Sequence, residues 1–119
     1  MSITRLHSNA RMSQVVVHGN TVYLAGQVAQ GAKGGSITEQ TQDILNAIDG
    51  FLAEAGSDKS NILSATIWLT SMDDFAEMNT VWDAWVDTAN PPCRAAVESA
   101  RLATNDFQVE IMVTAAVKS

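Results

Sequence analysis

Only two stretches of this chain carry helical periodicity, and most of what lies between them has the alternation or the β-branched content of strands. The first helical stretch is announced by Ser36-Ile37-Thr38-Glu39. This is a capping-box pattern, with Ser36 as the N-cap and Glu39 reaching back to it. Behind it, Ile44, Leu45, Ile48, Phe51 and Leu52 fall on one face and predict a helix over 38–55, with Gly56 as its stop. The second opens at Ser71-Met72-Asp73-Asp74, its acids at the positive end of the helix dipole. Its apolar stripe is Phe75, Met78, Trp82, Trp85 and Val86, and Asn90-Pro91-Pro92 is expected to end it.

The remaining segments supply a sheet. Residues 3–7 alternate as a short strand, and residues 15–18 and 21–25 flank Gly19-Asn20 as a hairpin. Gly26 follows, where a bulge or a close backbone approach is expected. Further strands are predicted over 62–69, 93–99 and 107–117. With 119 residues there is room for one domain, residues 1–119, and one core. The expected fold is α+β: a mixed sheet with both helices packed on one face. Two helices cannot cover both faces of such a sheet. The Val, Ile and Met content of the other face favours self-association around a symmetry axis, with a monomer as the alternative.

Composition narrows the function. Apolar residues make up 46% and charged residues 17%, which fits a globular chain. The net charge of −6 and the scattering of seven basic residues argue against a nucleic-acid partner. No apolar run approaches the roughly 20 residues that span a bilayer, and residues 1–7 lack the layout of a secretory signal. A soluble, cytoplasmic protein is expected. Cys93 is the only cysteine, and with His7 and His18 it forms no ligand-spaced metal cluster.

Few residues invite chemistry. Arg94 begins a strand of small apolar residues, where partial desolvation would leave it seeking an anion, and its fork matches a carboxylate bidentately. It is either a receptor for a small carboxylate or one end of a structural ion pair with Glu98, Glu110 or an acid of a neighbouring chain. Structural pairs are the commoner case. Glu110 is a solvated strand residue or, beside a cleft, a group that holds or activates water. Cys93 has no histidine placed to activate it and reads as a small packed residue. Asn79 bonds to a buried backbone group or points toward a site, the first being the simpler reading. His7 and His18 read as surface residues, and Trp82 and Trp85 as core.

A resemblance adds to this. The string Asn90-Pro91-Pro92-Cys93-Arg94-Ala95-Ala96-Val97-Glu98-Ser99-Ala100-Arg101-Leu102, followed by Val109-Glu110-Ile111, resembles the C-terminal signature of the Rid/YjgF family. Ser13-Gln14, the stretch from Gly19 to Gln27, and Asp74-Phe75-Ala76-Glu77-Met78-Asn79 are similar to other motifs of that family. The resemblance implies a chorismate-mutase-like fold and a homotrimer with clefts between subunits. It implies hydrolysis of reactive enamines and imines of amino acids to a 2-keto acid and ammonia, without metal or organic cofactor. By the same resemblance, Arg94 binds the substrate carboxylate, Glu110 positions the attacking water, and Asn79 lies near the site. The active deaminases carry tyrosine, serine and cysteine where this chain has Met12, Ala25 and Ala96, and a proline where it has Ala103. Three polar site groups thus become apolar, the pattern of a divergent branch, and a non-catalytic binder or sensor of small carboxylates is the rival expectation. Of the other roles proposed for the family, a nuclease is made unattractive by the acidic charge, and chaperone action would need exposed apolar surface.

Overall fold

The computed structural model describes residues 2–119. The elements are β1 (Ile3–Ser8), β2 (Ser13–His18), β3 (Thr21–Leu24), β4 (Gln27–Val28), α1 (Ile37–Glu54), β5 (Ile62–Leu69), α2 (Phe75–Trp85), β6 (Cys93–Glu98) and β7 (Val109–Ala116). Single 3-10 turns precede β5 and α2.

Local chemistry sets most of these boundaries. Ser36 Oγ accepts from the Glu39 N–H at 3.1 Å, and Glu39 Oε1 accepts from the Ser36 N–H at 2.9 Å, so the capping box is complete. These bonds from Ser36 hold the Glu39 carboxyl below its ordinary pKa. His18 pairs with Thr21 across a two-residue turn in which Gly19 has φ 62°. A positive φ at the first central residue is what a type II′ hairpin requires.

The second helix departs from expectation at both ends. Its first turn, Met72–Asp74, is a 3-10 turn whose Asp73 N–H donates to Ser71 Oγ. It stops at Trp85, before the prolines, because Val86 turns extended (ψ 144°). The Asp87 carboxylate then accepts from the Ala89 N–H and from Asn90 Nδ2, an aspartate turn that competes with the helix.

The strands form one sheet in the order β1-β2-β3-β7-β5-β6, with β4 also paired to β7. Only β5 and β6 run parallel, with α2 in the crossover between them. Thus β3 and β4 are one strand against β7, broken at Ala25-Gly26. Side chains alternate cleanly on β7: Val109, Ile111, Val113 and Ala115 are buried beneath the helices with Ile44, Leu45, Ile48, Leu52 and Met78. Trp82 and Trp85 join this core, ring centroids 5.3 Å apart. The fold is the α+β arrangement expected, a mixed sheet with two helices on one face.

The other face is bare. Tyr23, Val97 and Met112 are 47%, 44% and 40% exposed on it, beside Val16, Thr66 and Thr114. Both edge strands, β1 and β6, are unpaired on their outer sides. His7, expected to be a plain surface residue, has φ 54°, which breaks the alternation of β1. Its ring packs on Phe51 at 5.3 Å and its Nε2–H donates to Glu54 Oε2 at 2.8 Å, tying the edge strand to the end of α1.

Candidate functional site

The site residues singled out in the sequence fall into two groups, and one chain does not bring them together. The first group stands at the β6 edge. The β6 register pairs Arg94 with Ala65, which places Arg94 on the helix side of the sheet with Ala96 two residues on. There Arg94 Nη1 donates to Asn79 Oδ1 at 2.8 Å. Its guanidinium carbon lies 5.3 Å from the Trp82 ring centroid and 5.7 Å from that of Phe75. Cation–π attraction and the asparagine bond therefore fix the guanidinium without neutralising it.

Arg94 has no carboxylate partner. Among the described residues the ion pairs join His7 to Glu54 and Lys118 to Asp58. Glu98, one candidate partner, instead accepts from the Met72 N–H. The expectation of a half-dried arginine is corrected: Arg94 is exposed, because β6 is an edge strand with nothing beyond it. The simpler reading of Asn79 is also corrected, since its oxygen serves the arginine and not a buried backbone group. Cys93, expected to be packed, is exposed, its thiol donating to the Leu63 carbonyl at 3.3 Å.

The second group surrounds Glu110 on the bare side. A hollow of about 250 Å³ is lined there by Met12, Gln14, Gly26, Gln27, Ala103 and Glu110, among others. Burial pushes the Glu110 carboxyl above its ordinary pKa. Gly26 is what makes room for it: a Cβ at that position would stand 2.2 Å from Glu110 Oε2. Gly26 thus supplies the close approach that a glycine at this point of the strand foretells. Gln27 Nε2 donates to Gln14 Oε1 at 2.8 Å and to the Ala25 carbonyl at 3.0 Å, bridging β4, β2 and the break between β3 and β4. Met12 is exposed on this hollow, and Ala25, half-buried, precedes the Gly26 that lines it.

The register sets the separation. Arg94 and Glu110 sit two strands apart and three residues out of step, which puts their Cα atoms roughly 14 Å apart on opposite faces. Sequence reading missed two features. The amide pair Gln14–Gln27 gave no spacing signal. The aromatic platform under Arg94 did, since Phe75, Asn79 and Trp82 stand at i, i+4 and i+7 on one helix face.

Among the described residues no group of His, Cys, Asp and Glu could hold a metal ion, and no helix is long and apolar enough to cross a membrane.

Comparison with known proteins places this arrangement. The family profile described as Endoribonuclease L-PSP matches residues 2–117. A RutC family protein of Haemophilus influenzae is 47% identical over 115 residues, covering 97% of this chain and 98% of its own. The RutC family protein YoaB of Escherichia coli is 44% identical over 117 residues, covering 98% and 100%. Among solved structures, a member of the YjgF protein family from Neisseria meningitidis superposes with a TM-score of 0.95 at 43% identity, covering 100% of this chain and 98% of that one. A match along essentially the whole chain, in sequence and in fold, settles the family: this protein belongs to the YjgF/RutC family, whose profile carries the description Endoribonuclease L-PSP.

Proposed function

We propose that the protein hydrolyses 2-imino or 2-enamino acids to 2-keto acids and ammonia, at sites completed between subunits of a homotrimer. One observation carries this reading: Arg94 is held by Asn79, Phe75 and Trp82 with no acid among the described residues paired to it. A fixed, unpaired guanidinium is a carboxylate receptor.

The chemistry fits the rest of the equipment. A 2-iminium carbon is already electrophilic, so orientation supplies much of the acceleration. Arg94 grips the substrate carboxylate. Water bonded to Glu110 adds to C2 as Glu110 takes a proton. That proton passes to nitrogen, Glu110 takes the hydroxyl proton as the C–N bond breaks toward nitrogen, and ammonia leaves as the C2 carbonyl forms. No cofactor is needed for this balance. Because Arg94 and Glu110 lie on opposite faces of one sheet, the reading requires a second copy. The bare face with Tyr23, Val97 and Met112 is where that copy would pack, bringing the β6 edge of one subunit against the Glu110 hollow of the next.

The test is to generate iminopropionate in situ and follow keto-acid release. The expected result is a rate increase that Arg94→Ala cuts roughly 100-fold. Equal rates with wild type, Arg94→Ala and no protein would end the proposal.

A second reading, a binder of small carboxylates without turnover, is favoured by one feature: the thioether of Met12 lines the Glu110 hollow where the active deaminases carry a tyrosine. It expects thermal stabilisation by 2-keto acids without catalysis. The triple change Met12→Tyr, Ala25→Ser, Ala96→Cys separates the two, since it raises turnover only if the chemistry is already present. The endoribonuclease named in the family description is not the reading favoured here. A chain of net charge −6 offers a phosphate backbone little to bind.

A further inference from the structure

Loop residues 99–108 join β6 to β7 across the end of β5, and they cover a second hollow of about 150 Å³. Its polar lining is Thr70, Arg101, Thr104, Asn105 and Gln108. Arg101 is the only charged residue on that lining. The loop's one acid, Asp106, does not line it, and Arg101 has no ion pair among the described residues. In a chain of net charge −6, a cavity wall with one cation and no acid is out of keeping with the rest of the surface.

The loop that carries these donors is held in place. Gln40, fully buried in α1, donates to the Asp106 carbonyl at 3.1 Å and accepts from the Gln108 N–H at 2.9 Å, pinning the loop to the helix. The Gln108 carbonyl accepts from the Thr70 N–H, so both backbone groups of Gln108 are engaged while its side-chain amide has no hydrogen-bond partner among the described residues. Thr104 Oγ1 accepts from the Asp106 N–H at 3.2 Å, which leaves the hydroxyl proton to donate elsewhere. The Ser99 hydroxyl donates to the Arg101 carbonyl at 3.0 Å and fixes the turn that carries the arginine. Residues carrying one guanidinium, two hydroxyls and two amides thus line one small hollow, a donor set suited to an oxyanion.

We propose that this hollow is a binding site for a small oxyanion, carboxylate or phosphate in size, distinct from the Arg94 site. Arg94 stands near the start of β6 and Arg101 beyond its end, so the two cations serve different places. Inorganic phosphate and a small carboxylate share the required chemistry, and the volume admits either.

The experiment is an amide-resolved NMR titration of the full chain with sodium phosphate, with sodium acetate, and with sodium chloride at matched ionic strength. The expected result is saturable shifts in residues 99–108 with phosphate or acetate and not with chloride. Whichever of the two saturates at lower concentration identifies the ligand. Arg101→Gln should weaken binding at least about tenfold, the loss of one charge-assisted contact. Arg94→Ala should leave it unchanged. Arg101 is exposed, so its replacement spares the core, and Thr104→Val provides a second variant with a smaller, few-fold loss. Shifts that do not saturate, that chloride reproduces, that survive Arg101→Gln, or that vanish in Arg94→Ala would overturn the proposal.

Discussion

The two faces of the sheet are built from the same strands and answer to different partners. On the helix side Val15, Ile67, Leu69, Val109 and Ile111 are fully buried within the chain. On the other side Tyr23, Val97 and Met112 stand exposed among threonines. The first face is finished by local means, two amphipathic helices fastened at their ends. The second is bare in the single chain, and the two halves of the candidate site are divided between the faces: Arg94 on the finished side at an edge, Glu110 on the unfinished one. In the proposed reading the chemistry of such a chain, like its surface, is completed by association.

Adjacent residues of β7 test this division most severely. Ile111→Ala opens a cavity in the closed face and should cost about 2–5 kcal/mol at any protein concentration. Met112→Ala should cost the isolated chain within about 0.5 kcal/mol, as a surface change does. Any larger cost should grow with protein concentration, because it acts through association. Denaturant melts at two concentrations a hundredfold apart read both effects. Equal, concentration-independent losses would mean that the open face is closed within the chain after all.

Next in size is the loss of the carboxylate receptor. Arg94→Ala should lower kcat/KM for a 2-imino acid roughly 100-fold, about 2.7 kcal/mol of transition-state binding. The sharper form of the experiment mixes faults. Arg94→Ala and Glu110→Gln chains, each impaired alone, should regain about one quarter of wild-type activity when co-expressed, since in a random cyclic assembly that share of sites draws its arginine and its glutamate from intact donors. Activity no higher than that of the two parents would place both residues of each site in one chain.

How far this could be read in the sequence depended on how local the determinants are. The capping box at Ser36 and Glu39 and the turn at Gly19-Asn20 involve residues within a few positions of each other, and both were legible. Gly26 also spoke plainly, because a glycine inside a strand pattern flags a close approach, although what approaches it, Glu110, lies far along the chain. The end of α2 misled, since the prolines at 91 and 92 are louder than the aspartate turn at Asp87 that stops the helix earlier. The exposure of Cys93 and Arg94 was illegible, because whether a strand lies at the edge is a property of sheet order. The faces of Arg94 and Glu110 depended on register, which no spacing along one strand reveals. His7 could not be foreseen in its left-handed backbone, which answers to Phe51 and Glu54 more than 40 residues away.

The smallest expected effect separates the two faces by pH. Burial raises the Glu110 carboxyl above its ordinary value of 4.5. An acid whose pKa rises on folding favours the fold when protonated. That favour is fully present below 4.5 and is lost as pH climbs through the folded value, after which the ionised carboxylate is a mild burden. Glu110→Gln removes the burden, so the variant should be slightly more stable than wild type at pH 7 and no more stable at pH 3. The gain should be no more than about 0.5 kcal/mol, because solvent screens a half-exposed group. Glu39 on the helix side carries the opposite sign: its carboxyl is depressed by Ser36, so its contribution is present above 4.5 and fades as pH falls through the lower folded value. Glu39→Gln should therefore lose stability at pH 7 and little at pH 3, where Glu110→Gln gains and then gains nothing. A stabilised Glu110→Gln that no longer hydrolyses imines would mark that carboxylate as retained for chemistry at the expense of the fold. A difference from wild type that is the same at both pH values would contradict the raised Glu110 pKa.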